Sequence, residues 1–572
     1  MEYIARWLRI MDAALRLGPR PVALAAWHRG PVARALARRA LADAPVPAGP
    51  FWPDAAPPAP SLAGCHRAAV LARAAAVAQA ASPPDWHGPF PATAPALGLD
   101  LFGPGDIRPV WERNRWAELP LLAQAARLEP GGGHGARAAA LLADWAARNP
   151  AFRGPNWACG QEAALRVLHL GLALGLLGQP PPAGARGLLL LHGRRIAASP
   201  AYAMAQDNNH IVSEAAGLLV CGLLLDAPGW VATGEARLAA ARRRLVAPDG
   251  GFAQLSTGYH RLLLDVLAVT EWLLRRHRLR PRAGDAAAVG WLHRLTEPAT
   301  GATPRLGHQD GSAFADLSLA GPDDARPSLE RAARLLAGGS AGWASDPGCG
   351  WLGLPRAAPL PAPAAVWAGA GLRGWREGAA RGVLRTGPLR FRPGHADLLH
   401  FDLWDGPLNL LRDGGSGGYN PWHPGLWATA GHNTVEFDGL DQMPAVSRFL
   451  FARWPRTGPL PDGGWLRDHR GNRQERRVTA GGRCWRVADR LGGPYRLAAL
   501  RWRLAPGPWR LTADGVAGPL GRLRISADGP LDLALEQGVE SPAYGEVRPA
   551  PVLVARLRAP GHRLETRIEL PE

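Results

Sequence analysis

The hydrophobic period of this chain changes once, from helical to alternating, and no other feature limits its fold as strongly. From about residue 106 to residue 338 apolar side chains recur at helical spacing, so the segments 117–128, 135–149, 161–177, 208–225, 259–277 and 286–295 each read as one helix. Pro- and Gly-rich turns (EPGGGHG, GQPPPAGA, APDGG, EPATGATP) separate them. Helices joined by short turns stack as antiparallel pairs. The stretch is too long for a four-helix bundle and lacks the fixed-period self-similarity of a solenoid. The expected architecture over residues 106–356 is therefore an α/α toroid, an incomplete helical barrel. A Pro/Ala-rich linker follows at 357–370. Beyond it, HNTVEFDG, WRVADRL, LAALRWRL and RLETRIEL alternate apolar and polar residues between close-set turns, which predicts an antiparallel β-sandwich over 371–572. Residues 1–105 are rich in Ala, Arg and Pro and read as a helical and irregular lead-in. The whole is an α+β multidomain chain.

Composition agrees with a folded chain: of 572 residues, 47% are hydrophobic and 20% charged. The 66 cationic side chains are all Arg and exceed the 48 acidic ones by 18. Absence of Lys beside abundant Ala, Gly and Pro is the mark of GC-rich coding, so part of the basicity is genomic. The arginines are dispersed and no reader motif accompanies them, which argues against nucleic acid as a partner. Five cysteines without a C-x-x-C offer neither a zinc ribbon nor a disulfide framework. The longest apolar run, 215–225, is too short to cross a bilayer. In the first thirty residues Arg6, Arg9, Asp12, Arg16 and Arg20 interrupt every apolar run. No cleavable signal peptide is read there, which favours a cytoplasmic over a periplasmic location. The amphipathic pattern of this segment reads as a helix packed on its own protein, with a helix lying on a membrane surface as the alternative.

Four stretches place polar groups where core patterning would not. Asp207-Asn208-Asn209-His210 opens a long apolar helix. One of these residues serves as N-cap, and the others are left at a helix end whose free N–H groups suit a carboxylate. Glu214, one turn on, is placed to orient the imidazole of His210. Gln254 to Arg261 opens a second helix, where Tyr259 and His260 set a proton donor beside an acceptor, or are an ordinary helix entrance. His395 and His400, then Asp413, then His432 carry the ligand types of a zinc site; hydrogen-bonded loop groups are the alternative. In GPNWACGQEAALRVLHL, Trp157 stands near Gln161, Glu162 and Arg166, as in a sugar subsite or a capped helix with a core Trp.

Taken in order, these stretches resemble the heparinase II/III family of polysaccharide lyases. The resemblance rests on Asn-Asn-His-x-x-x-Glu-Ala-Ala-Gly from Asn208, Ser-Thr-x-Tyr-His from Ser256, His-Ala-Asp from His395, Arg-Asp-Gly-Gly-Ser from Arg412 and Gly-His-Asn-Thr-Val-Glu-Phe-Asp-Gly-x-Asp-Gln from Gly431. It covers residues 111–572 and implies a toroid and sandwich with a substrate cleft between them. The activity implied is β-elimination at a uronic acid of an acidic polysaccharide or oligosaccharide, of the glycosaminoglycan or alginate kind. Asn209 and His210 match the pair that neutralises the carboxylate, and Tyr259 matches the catalytic acid. His395, Asp413 and His432 match the ligands of one structural Zn2+. Lytic members carry His-x-His-x-Asp, but here the first His is Pro393. Tyr419 is the nearest counterpart of a second catalytic Tyr, and His260 and His400 are the imidazoles that would substitute for the missing one. Trp157, Gln161, Arg166, Glu214, Gln254, Arg261 and His400 are the expected substrate contacts.

Two further readings compete. A glycoside hydrolase in the same toroid needs two carboxylates flanking the bond, and Glu162, Glu214, Asp265 and Asp310 are the candidates. A non-catalytic glycan-binding or assembly protein would use the same cleft, in keeping with the loss of the His at 393.

Overall fold

A computed structural model describes residues 2–79, 84–277, 279 and 284–571. In the helical half, Glu118–Leu128, Gly160–Leu177, Asn209–Leu225, Thr257–Arg276 and Arg326–Ala332 pack side by side in chain order as an inner layer. Outside them lie His134–Arg148, Ala183–Ala198, Pro228–Leu245 and Ala286–Leu295. The two layers differ as their sequences do. The inner helices Gly160–Leu177 and Asn209–Leu225 are apolar nearly all round and bury nearly every residue, whereas Pro228–Leu245 buries only a stripe including Leu238, Ala241 and Leu245. Small residues set the spacing of the inner layer. A Cβ on Gly217 would stand 2.6 Å from Ala164 Cβ, and one on Gly160 would stand 2.5 Å from Glu214 Oε1. The ends of the ring are tied together: Trp351 Nε1 donates to His66 Nε2 at 2.9 Å, and the helix Gly64–Gln79 packs on Glu118–Leu128.

The β half begins at Val366–Gly369 and holds three main antiparallel sheets. A five-stranded meander runs from Val366–Gly369 to Leu408–Leu411. An eight-stranded sheet has Cys484–Gly492 between Arg473–Gly481 and Arg563–Glu569, and a four-stranded sheet has Leu497–Arg503 between Val435–Phe437 and Arg548–Arg558. One core joins all three, with Phe401 and Leu403, Trp485 and Ile568, and Leu500 and Leu553 in contact within it. Strand Arg473–Gly481 pairs with Cys484–Gly492 in register from Arg473–Gly492 to Gly481–Cys484, and both alternate buried with exposed positions. The architecture is thus a helical toroid followed by an antiparallel β-sandwich.

The first three helices, Glu2–Leu17, Pro19–Arg29 and Pro31–Ala40, lie over the junction. The first of these is packed on its own protein, as expected, but not through its apolar face. Its polar side makes the contact instead: Asp12 accepts from Arg453 N, and Arg16 donates to Trp454 O at 3.2 Å. Tyr3, Ile4, Trp7, Leu8, Met11 and Leu15 face outward.

Candidate active site

A cleft of about 870 Å³ lies between the toroid and the sandwich, with the second and third helices along one wall. Its toroid wall starts at the N-terminus of Asn209–Leu225. Asp207, in the left-handed region at φ 47°, is fixed by Arg244 (2.5 and 2.6 Å) and Arg20 (3.1 Å). Asn208 caps the helix by accepting from His210 N at 3.0 Å. This frees Asn209 and His210 to face the cleft. Asn209 Nδ2 donates to Gln161 Oε1 at 3.0 Å and Asn209 N to Gln254 Oε1 at 2.9 Å, so three side-chain amides, from two inner-layer helices and the loop before a third, meet at one place. Burial pushes the His210 imidazole down to about 4, so it is neutral near pH 7.

The opposite part of the cleft is a cluster of phenols around one carboxylate. Ser256 caps the helix Thr257–Arg276 by accepting from Tyr259 N at 3.2 Å, which sets the ring of Tyr259. Tyr259 Oη donates to Asp310 Oδ2 at 2.9 Å, and Tyr419 Oη donates to the same oxygen at 3.2 Å. His308 stacks on the Tyr419 ring, and its Nε2 lies 3.2 Å from Tyr419 Oη. Burial, with the Asp310 carboxylate alongside, holds both phenols well above their ordinary range, so both are protonated. Arg108, 3.5 Å away, and the Ser312 backbone at 2.9 Å keep Asp310 ionised despite its burial. Arg29, Arg34, Arg38, Arg392 and Arg448 also line the cleft, and none pairs with a carboxylate among the described residues.

Behind Tyr419, His395, Asp413 and His432 bring their ligand atoms within 4.8 Å of one another. All three are buried, and His432 Nδ1 is 2.8 Å from Asp413 Oδ2. His395 Nδ1 and His432 Nε2 are buried without a hydrogen-bond partner, as is His400 Nε2 at 3.8 Å from Asp413 Oδ2. Orphaned imidazole nitrogens around a carboxylate are costly unless a cation takes up their lone pairs, and this donor set suits zinc.

Asn209, His210, Tyr259, Tyr419, Gln161 and Gln254 therefore share one cleft. Other expected residues do not reach it. Trp157 is fully buried against Trp145 and Phe152, and Arg166 donates to Asn156 O at 2.6 Å and His192 Nε2 at 2.8 Å; they form a core cap, not a sugar subsite. His260 points outward from the ring axis, bonding Ala288 O at 2.8 Å and stacking on Trp291. Arg261 donates to Ser328 Oγ at 2.9 Å, away from the cleft. Glu214 lies behind the site, and His210 Nδ1 faces Cys159 Sγ at 3.8 Å instead. His400 accepts from Asn433 N at 2.9 Å beside the metal-type cluster and touches no part of the cleft. His308 was not anticipated. It sits in an aperiodic loop, and only the polar string around Asp310 in RLGHQDGSAF marks it in the sequence.

Comparison with known proteins agrees with this architecture. Residues 359–569 match the family described as Heparinase II/III-like, C-terminal. The resemblance to the heparinase II/III family thus extends to a family model over that part of the chain. Over nearly its full length the fold is similar to a heparinase III at TM-score 0.66 and 14% identity, covering 97% of this chain and 92% of that one. It is also similar to the heparinase III BT4657 gene product (TM-score 0.60, 16% identity, 97% and 91% covered). A third likeness is to the heparan sulfate lyase HepC from Pedobacter heparinus (TM-score 0.52, 18% identity, 88% and 87% covered). No curated protein matches the chain in sequence.

Proposed function

We propose that this protein is a polysaccharide lyase that cleaves a uronate-containing glycan by β-elimination. The observation that carries the reading is the meeting of a cluster of side-chain amides and a pair of protonated phenols across one arginine-lined cleft. The C5 proton of a uronate is poorly acidic beside an ionised carboxylate. Hydrogen bonds from Asn209 and the neutral His210 offset that charge and stabilise the developing enolate. Tyr259, protonated at rest, gives its proton to the leaving glycosidic oxygen. Tyr419 turns its hydroxyl proton from Asp310 to the unprotonated Nε2 of His308, at 3.2 Å, and passes it there as it takes the C5 proton. After the C4–O bond breaks, the proton on His308 returns through Tyr419 and Asp310 to Tyr259. No water is consumed. His308 thereby supplies the imidazole that Pro393 lacks, although it comes from the toroid.

His395, Asp413 and His432 are proposed to hold one zinc ion. Its role would be structural: Asp413 and the two imidazoles would hold a cation that offsets the carboxylate charge and would so fix the loop that carries Tyr419. The same loop reaches the toroid through Ser416 Oγ, which accepts from Gln309 N at 2.8 Å and lies 3.1 Å from His395 Nε2.

The hydrolase reading fares less well. It needs a protonated acid at the bond, yet Asp310 and Glu162, the candidates that line the cleft, are held ionised by arginines, and Glu214, pushed up to about 8 by burial, is not part of the cleft. Heparan sulfate, hyaluronan, chondroitin, alginate and polygalacturonate form the test panel, read by the ultraviolet absorbance of the unsaturated uronate. Tyr259→Phe should lower that rate by about 10²-fold or more with the fold unchanged. New reducing ends without absorbance would overturn the lyase reading, and so would identical rates for the variant.

A further inference from the structure

Within the helix Glu2–Leu17, Tyr3, Ile4, Trp7, Leu8, Met11 and Leu15 fall on one face, and each is more than half exposed. The opposite face is the one attached to the protein, through Ala13, which is fully buried, and the Asp12 and Arg16 contacts to Arg453 and Trp454. The helix is thus held with its apolar side outward. The next two helices add exposed Trp27, Val32 and Leu36. Residues 2–40 contain eight arginines against two carboxylates, Glu2 and Asp12, and Arg6, Arg29, Arg34, Arg38 and Arg39 are exposed.

We propose that these three helices dock the protein on an anionic lipid bilayer, lying in the interface without crossing it. An outward face of Trp, Tyr, Leu, Ile and Met bordered by arginine is what binds at the level of lipid headgroups, with guanidiniums reaching to phosphate. No helix among the described residues is long and apolar enough to span. Charge argues against a second copy of the chain as the occupant. Asp12 is already held by Arg16, so two such faces brought together would oppose arginine to arginine. Trp27, Arg29, Arg34 and Arg38 also line the cleft, so docking sets its mouth beside the lipid surface. The inference is independent of the lyase chemistry.

The test is co-sedimentation of the full chain with vesicles of phosphatidylcholine alone or mixed with phosphatidylglycerol. Binding is expected to the mixed vesicles, to weaken with salt, and to fall about tenfold or more in a Trp7→Asp, Leu8→Asp double variant. Both positions are exposed, so the melting temperature of that variant should not move. A second variant, Arg6→Glu with Arg9→Glu, should lose the preference for the mixed vesicles. The proposal is overturned by absence of binding at low salt or by equal binding of the first variant. It is equally overturned by a concentration-dependent dimer that the first variant abolishes, which would assign the face to a second copy.

Discussion

At the scale of single residues, burial keeps His210 neutral and the phenols of Tyr259 and Tyr419 protonated. His308 is the residue on which the proposed relay to Tyr419 rests, because among the described residues no other imidazole lies within hydrogen-bond distance of either phenol. His308→Gln retains a polar group of similar size but cannot accept the proton. It should lower kcat by about 10²-fold or more while KM and the melting temperature stay close to the parent values. Steady-state kinetics beside thermal unfolding would separate this from a structural loss, which would move the melting temperature as well. Glu214 offers a different prediction. The unfolded chain ionises this carboxyl above 4.5, whereas burial keeps it protonated in the fold up to about 8. Stability from this group is complete at acid pH and is lost as pH rises from about 4.5 to 8. Glu214→Gln removes the dependence, so its stability relative to the parent should improve by roughly 2–4 kcal/mol between mildly acid and mildly alkaline urea titrations.

At the scale of helices and strands, much of the molecule was legible beforehand. Segment 286–295 of the sequence became the helix Ala286–Leu295, and LAALRWRL became the strand Leu497–Arg503. Periodicity is a local property, and both elements bury the face it marks. Asn209, His210 and Tyr259 were legible for a related reason: each follows a capping residue, and polar groups beyond what a cap needs stand out. The same signal misled at Trp157 and Arg166. A buried arginine bonded to a backbone carbonyl and an imidazole near a helix entrance looks, in sequence, like one waiting for a ligand. His308 was illegible because its place beside Tyr419 is a tertiary fact, created where a toroid loop meets a sandwich loop. Close helix packing was hidden as well, although it sets the amide cluster. Gly217 lets Asn209–Leu225 approach Gly160–Leu177, and that approach brings Asn209 to within 3.0 Å of Gln161. Gly217→Val adds atoms where even a Cβ would meet Ala164 Cα at 2.8 Å. Overpacking of this kind costs about 1–3 kcal/mol. The variant should show that loss in urea unfolding, together with weaker binding of a uronate oligosaccharide, since the two helices carry the two amides.

At the scale of the whole molecule, the cleft exists because two independently patterned halves are fixed to each other by a few polar ties. Asp106, which caps the first short toroid helix Ile107–Arg113, accepts from Tyr544 Oη at 2.7 Å and from Tyr419 N at 3.0 Å. Arg305 reaches Glu540 at 3.3 Å, and Gln309 reaches Ser416 at 2.8 Å. Three of these ties involve the loop segment 413–419 or its neighbour Tyr544, so a zinc ion on Asp413 would hold the sandwich side of the site at the point where the toroid grips it. Loss of the metal should leave the amide cluster intact, because Asn209, Gln161 and Gln254 all belong to the toroid, but should release Tyr419. Asp413→Ala is expected to lose one zinc per chain by elemental analysis, to melt at a lower temperature, and to lose turnover while still binding a uronate oligosaccharide near the parent affinity. A zinc content near zero in the parent protein, or a melting temperature that neither chelator nor Asp413→Ala changes, would remove the metal and leave His395, Asp413 and His432 as a hydrogen-bonded cluster. Binding lost together with turnover would instead show that the halves cannot hold the cleft without the metal.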